Sequence, residues 1–237
     1  MALPKTVLPT YELVVPSTGK KIKYRPFVVK EEKLLLLALD SGDDKQIESA
    51  VRNLLKSCIQ TRIKIDELTL FDLELIFLNV RAVSVGEVVD LVLTCKDDNE
   101  TKVTYKLDLN DVGVLRPEGH SKKVELTDTM GLIMKYPGYN QFISGSIIGQ
   151  SPEQDTITEV IASCIDQIYD GEEVFDSSTT SQQEFKEFVD GMTTKQFGAL
   201  QKFFETCPRV EHNFKVKNPN TGVESEFTIN GLQNFFG

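Results

Sequence analysis

The longest uninterrupted apolar run in this chain is Leu34-Leu-Leu-Leu-Ala-Leu39, bounded by Lys33 and Asp40. A run that short cannot cross a bilayer, which takes about 20 residues. It has to be satisfied by protein, and an apolar stretch with no polar break suits a helix buried on most sides. We therefore expect a helix over 30–40, stopped by Ser41-Gly42. Two more apolar patterns follow at helical spacing. Ile47, Val51, Leu54, Leu55 and Cys58 mark a helix over 44–59. Leu70, Leu73, Ile76, Phe77 and Val80 mark one over 69–82, with Thr69 or Asp66 as its cap.

Strands bracket these helices. Tyr11–Val15 and Lys21–Arg25 alternate apolar and polar residues around the turn Pro16-Ser-Thr-Gly19, and Pro26 ends the second strand. Glu87–Cys95 and Lys102–Leu109 form a second hairpin around Lys96-Asp-Asp-Asn-Glu100, and 123–127 with 131–135 a third. The later chain is mainly helical in pattern. Ser151-Pro-Glu-Gln154 looks like a helix start, and Ile157, Val160, Ile161, Cys164, Ile165 and Ile168 make one stripe. Residues 171–180 read as a mobile polar loop. Ser181 with Glu184, and Thr193 with Gln196, are capping boxes that open two more helices. A last hairpin, 210–229, turns at Asn218-Pro-Asn-Thr-Gly222, and a short helix over 230–236 would end the chain.

The expected class is α+β, with antiparallel hairpins and about six helices. Helix 69–82 leads into hairpin 87–109, and helix 194–206 leads into hairpin 210–229, a recurrence consistent with duplication. The natural division is into halves 1–118 and 119–237, with one compact unit as the alternative.

Composition restricts function. The 237 residues include 36 acids and 26 bases, a formal charge of -10. Nucleic-acid binders concentrate Lys and Arg against phosphate, so nucleic acid is not an expected partner, and the lack of any run near a bilayer span means that a membrane is not expected either. The N-terminal MALPKTVLPTYE lacks the pattern of a signal peptide. Cys58, Cys95, Cys164 and Cys207 are scattered, which fits buried free thiols in a reducing compartment. Histidine occurs only at His120 and His212. No G-x-S-x-G, P-loop or G-x-G-x-x-G is present, so no catalytic residue and no cofactor is expected. Asp40-Ser-Gly-Asp-Asp44 lacks the twelve-residue calcium pattern and reads as a helix stop and restart. The two long hairpins have the shape of zinc ribbons, but Cys95 is the only thiol near either tip. One thiolate cannot build a tetrahedral site, so no metal is expected.

The segment Tyr11-Glu-Leu-Val-Val-Pro-Ser-Thr-Gly-Lys-Lys-Ile-Lys-Tyr-Arg-Pro-Phe27, then Val29-Lys-Glu-Glu-Lys33 and the leucine run, resembles the baseplate hub subunit family of T4-like bacteriophages. So do Phe203-Phe-Glu-Thr-Cys-Pro-Arg-Val-Glu-His212, the Asn-Pro-Asn-Thr-Gly tip and Gly231-Leu-Gln-Asn-Phe-Phe236. In order and length the resemblance covers essentially the whole chain. It implies a hub subunit or hub assembly factor of a contractile tail, with other hub proteins as partners. It places the chain in the host cytoplasm during assembly and leaves residence in the virion baseplate open. Relatives carry cysteine pairs at the hairpin tips, a pattern from which this chain departs.

Two contact regions are expected. One is the aromatic C-terminal group Phe227, Leu232, Phe235 and Phe236. The other is the basic strand with Lys21, Lys23 and Arg25, whose edge could recruit another chain. The competing readings are an acidic adaptor of other origin and an enzyme with a dispersed carboxylate site.

Overall fold

The computed structural model describes residues 7–138 and 154–231. In chain order the elements are β1 (Tyr11–Val14), β2 (Lys21–Tyr24), α1 (Val29–Ser41), α2 (Asp44–Cys58), α3 (Leu70–Val85), β3 (Val88–Thr94), β4 (Lys102–Asp108) and β5 (Gly113–Leu115). They continue with β6 (Lys123–Glu125), β7 (Met130–Met134), α4 (Gln154–Ser163), β8 (Ile165–Asp170), β9 (Glu173–Asp176), α5 (Gln182–Asp190), α6 (Thr194–Glu205), β10 (Arg209–Lys217) and β11 (Glu224–Asn230). The class is α+β, with small antiparallel sheets in the orders β1-β2, β3-β4, β11-β10-β5 and β6-β7-β8-β9.

The chain groups into two compact units, 1–115 with 209–237, and 116–208. A division at 118/119 would put the last hairpin in the second half. The backbone instead returns: β10 pairs with β5 through Arg209↔Leu115, Val210↔Val114 and Glu211↔Gly113. Both long hairpins thus lie in the first unit, while α6, the helix that leads into the second of them, lies in the other unit.

The first unit is organised by α3. Phe71, Leu73, Ile76, Phe77, Leu78, Val80 and Ala82 are all buried, so this helix contacts protein around nearly its whole circumference. The apolar stripe of α2 (Val51, Leu54, Leu55, Cys58) is buried as its spacing requires. Thr69 caps α3: its hydroxyl accepts from the Asp72 N–H, and the Asp72 carboxylate accepts from the Thr69 N–H. Asp66 pairs with Arg52 instead.

α1 departs from expectation. The leucine run was read as buried on most sides, yet only Leu35 and Ala38 are buried. Leu34, Leu36 and Leu37 are 55%, 55% and 68% exposed. A run of consecutive leucines points in every direction around a helix, but among the described residues α1 packs chiefly against α2.

The second unit packs the β6–β9 sheet with α4, α5 and α6 around Leu132, Met134, Ile161, Ile165, Phe185, Leu200 and Phe203. Here two expectations are corrected. The stripe from Ile157 to Ile168 was read as one helix, but α4 ends at Ser163 and β8 begins at Ile165. Register slips between Ile133 and Met134, which pair with Gln167 and Ile165 and leave Asp166 as the extra residue. That bulge lets Ile165 and Ile168 both face the core from a strand. Residues 171–180, read as a mobile loop, contain β9, paired with β8, and a turn in which the Asp176 carboxylate accepts from the N–H groups of Ser178 and Thr179. Both expected capping boxes, Ser181 with Glu184 and Thr193 with Gln196, are formed. The expected cap at Ser151 and the helix over 230–236 lie outside the described residues, apart from Asn230 and Gly231.

Candidate functional site

The tips of the two long hairpins meet within the first unit. The Asn218 side chain is buried, and its amide donates to Asp97 Oδ1 at 3.0 Å, to Asp97 Oδ2 at 3.1 Å and to Asp98 Oδ2 at 2.9 Å. The Thr221 hydroxyl donates to Asp97, and Asn220 Nδ2 donates to Thr101 Oγ1 at 2.9 Å. Thr101 closes the ring: its hydroxyl and its N–H donate to Asp98. Behind this clasp Tyr105 stacks on Phe214 at 3.9 Å, Phe214 on Phe227 at 5.9 Å, and Lys96 Nζ lies 4.7 Å from the Phe227 ring centre. Hydrogen bonds and stacked rings therefore join the hairpins.

The electrostatics follow from these donors. Hydroxyls hold both carboxyls below the usual range, Thr221 first for Asp97 and Thr101 first for Asp98. Burial pushes the Cys95 thiol up, helped by the adjacent negative charges of Asp97 and Asp98. Zinc does not fit these tips. The carboxylates already hold amide and hydroxyl protons, and Cys95 is the sole thiol there. Among the described residues no group of three or more His, Cys, Asp or Glu could hold a metal ion.

The expected contact residues are dispersed. Phe227 is half-buried in the stack just described. Leu232, Phe235 and Phe236 lie outside the described residues. Lys21 and Lys23 are exposed on β2, where Lys23 Nζ is 3.7 Å from Glu12. Arg25 is turned inward. It holds Glu31 through both terminal nitrogens, at 2.9 and 2.7 Å, and donates to the Pro26 carbonyl. Glu31 Oε2 in turn accepts from the Val28 N–H at 2.8 Å, so Arg25 fixes the first turn of α1.

Among the described residues both histidines pack against aromatic rings, and Cys58, Cys95 and Cys164 are buried. His120 Nδ1 is 2.9 Å from Thr206 Oγ1, its ring stacks on Tyr136 at 5.5 Å, and burial lowers its pKa. His212 stacks on Phe214 at 5.6 Å. Burial raises the thiols of Cys58 and Cys164 to about 12, so at neutral pH they are protonated and poor nucleophiles. What the sequence reading missed is the leucine face of α1. Its signal was the Lys33/Asp40 bracket around the run, which puts charge on the same side as Leu36 and Leu37.

This is an α+β protein whose polar clusters hold its own elements together and in which α1, among the described residues, carries four exposed large apolar side chains, Val29, Leu34, Leu36 and Leu37. A family model described as T4 bacteriophage base plate protein matches residues 8–237. The chain belongs to that family. Neither the curated proteins nor the solved structures give a match.

Proposed function

We propose that this baseplate protein acts at the hub, as a hub subunit or hub assembly factor, by binding other hub proteins and without catalysing a reaction. The observation that carries this reading is the family match over 8–237. The resemblance of segments within 11–33 and 203–236 to hub subunits supports reading that baseplate role as one at the hub. Two features support binding over chemistry: the protonated buried thiols, and apolar side chains exposed on α1. Lys21 and Lys23 on the N-terminal hairpin and the terminal segment with Phe227, Leu232, Phe235 and Phe236 are the proposed hub contacts. Arg25 serves them indirectly by fixing the junction between β2 and α1. Assembly would take place in the infected host's cytoplasm.

Infection with a phage carrying a nonsense mutation in this gene tests the reading. The expected result is a block at hub formation, relieved when the chain is supplied in trans. Complete baseplates with an occupied centre, formed without the chain, would overturn it. Mass spectrometry of purified particles then separates the two roles: abundant peptides mean a subunit, and their absence means a factor that leaves.

A further inference from the structure

Leu36 and Leu37 sit at the middle of a stripe whose ends are Lys33 and Asp40. The four positions are spaced i, i+3, i+4 and i+7, so they share one face of α1. That face points away from the buried pair Leu35 and Ala38. Lys33 and Asp40 are exposed, and neither is in an ion pair among the described residues. Val29, also 65% exposed, extends the apolar surface toward the helix start.

The stripe is complementary to itself. The midpoint between Lys33 and Asp40 falls between Leu36 and Leu37. If a second α1 lies antiparallel across a two-fold axis at that midpoint, Lys33 meets Asp40 of the other copy, twice. Leu36 meets Leu37, also twice. A two-fold contact must use one patch on both subunits, and few helical faces satisfy that in charge as well as apolarity. We propose that this chain forms an antiparallel homodimer through the exposed face of α1. The inference stands apart from the hub reading, since it concerns only the chain's contact with its own copy.

A contact made mainly by one 13-residue helix falls at the small end of specific interfaces, so the dimer is weak and concentration-dependent. The charge of -10 on each copy also opposes association, which makes the two ion pairs decisive for register.

Sedimentation velocity on the purified full chain, from about 1 μM to 1 mM, tests this. The wild type is expected to shift from monomer to dimer within that range. Lys33→Asp and Asp40→Lys each turn both ion pairs repulsive and should weaken the dimer at least about tenfold. An equimolar mixture of the two single variants restores opposite charges across the axis and should dimerise again. So should the double variant Lys33→Asp/Asp40→Lys. All three variants alter exposed positions, so folding is checked by unchanged circular dichroism. A wild type monomeric throughout overturns the proposal and assigns the leucine face to a different chain. So does a dimer indifferent to the single swaps, or one that the mixture fails to restore.

Discussion

α1 and α3 start from similar sequences and end in opposite environments. Both are leucine-rich, of 13 and 16 residues, and both carry an acid at the third helical position, Glu31 and Asp72. α3 buries nine side chains and organises the first unit, whereas α1 buries two and exposes three leucines. The difference teaches that apolar content does not by itself set burial. What sets it is how many elements converge on a helix, and α3 is followed at once by β3 and β4 while α1 ends at a tight turn. Exposed large apolar side chains that cluster on one face are a feature of interaction surfaces.

The comparison breaks most directly in the hydrophobic core. Phe77, 1% exposed, lies at the centre of α3. Phe77→Ala should lower unfolding stability by about 3–5 kcal/mol, from lost transfer energy plus a cavity. Leu37→Ala, at a 68% exposed position, should change it by no more than about 0.5 kcal/mol. Urea unfolding of both variants measures the pair. A loss above about 1 kcal/mol for Leu37→Ala would mean that the α1 face is already packed in the isolated chain.

The helix starts give the next contrast. The Asp72 carboxylate is fully buried and accepts from the N–H groups of Ser17 and Thr69 and from both their hydroxyls. Removing it in Asp72→Ala strands these donors in a dry site, at a cost of about 2–3 kcal/mol. It should also release the β1–β2 turn, which Ser17 ties to α3. Hydrogen exchange at Ser17 reads that release. Protection unchanged in the variant would show that the turn is held by other contacts.

These contrasts bound what the residues could reveal in advance. Hairpins and capping boxes were legible because they depend on neighbours in sequence: Ser181 and Glu184, Thr193 and Gln196, and the strands around Asn218–Gly222 all form as read. The leucine run was misread because exposure depends on which distant elements arrive. The helix through Ile168 was misread because a bulge at Asp166 gave a strand the spacing of a helix. The clasp was invisible for a third reason. Asp97 and Asn218 lie 121 residues apart, and each tip alone is an ordinary polar turn. β5, three residues long, carried no signal before β10 returned to pair with it.

A smaller effect than that of Asp72 is expected at the start of α1, in its response to acid. The Arg25 guanidinium holds the Glu31 carboxyl below the usual range, and burial opposes this only in part. A depressed carboxyl stabilises the fold fully above its unfolded value of about 4.3 and loses that contribution as pH falls through the folded value. Arg25 is shifted up, chiefly by the same hydrogen bond, so its contribution is lost only far above neutral pH. Glu31→Gln should therefore cost about 1 kcal/mol at pH 7, because the pair is partly solvated. The cost should shrink toward zero as pH drops from about 5 to 2. Asp97, Asp98, Asp176 and Glu184 are depressed as well and steepen the acid limb of both proteins alike. The difference in urea midpoint between wild type and variant, measured across that range, isolates Glu31. A difference that stays constant with pH would mean that Glu31 supports α1 by packing and its backbone hydrogen bond rather than by charge. The exposed face of α1 would then be held in place without the Arg25 pair.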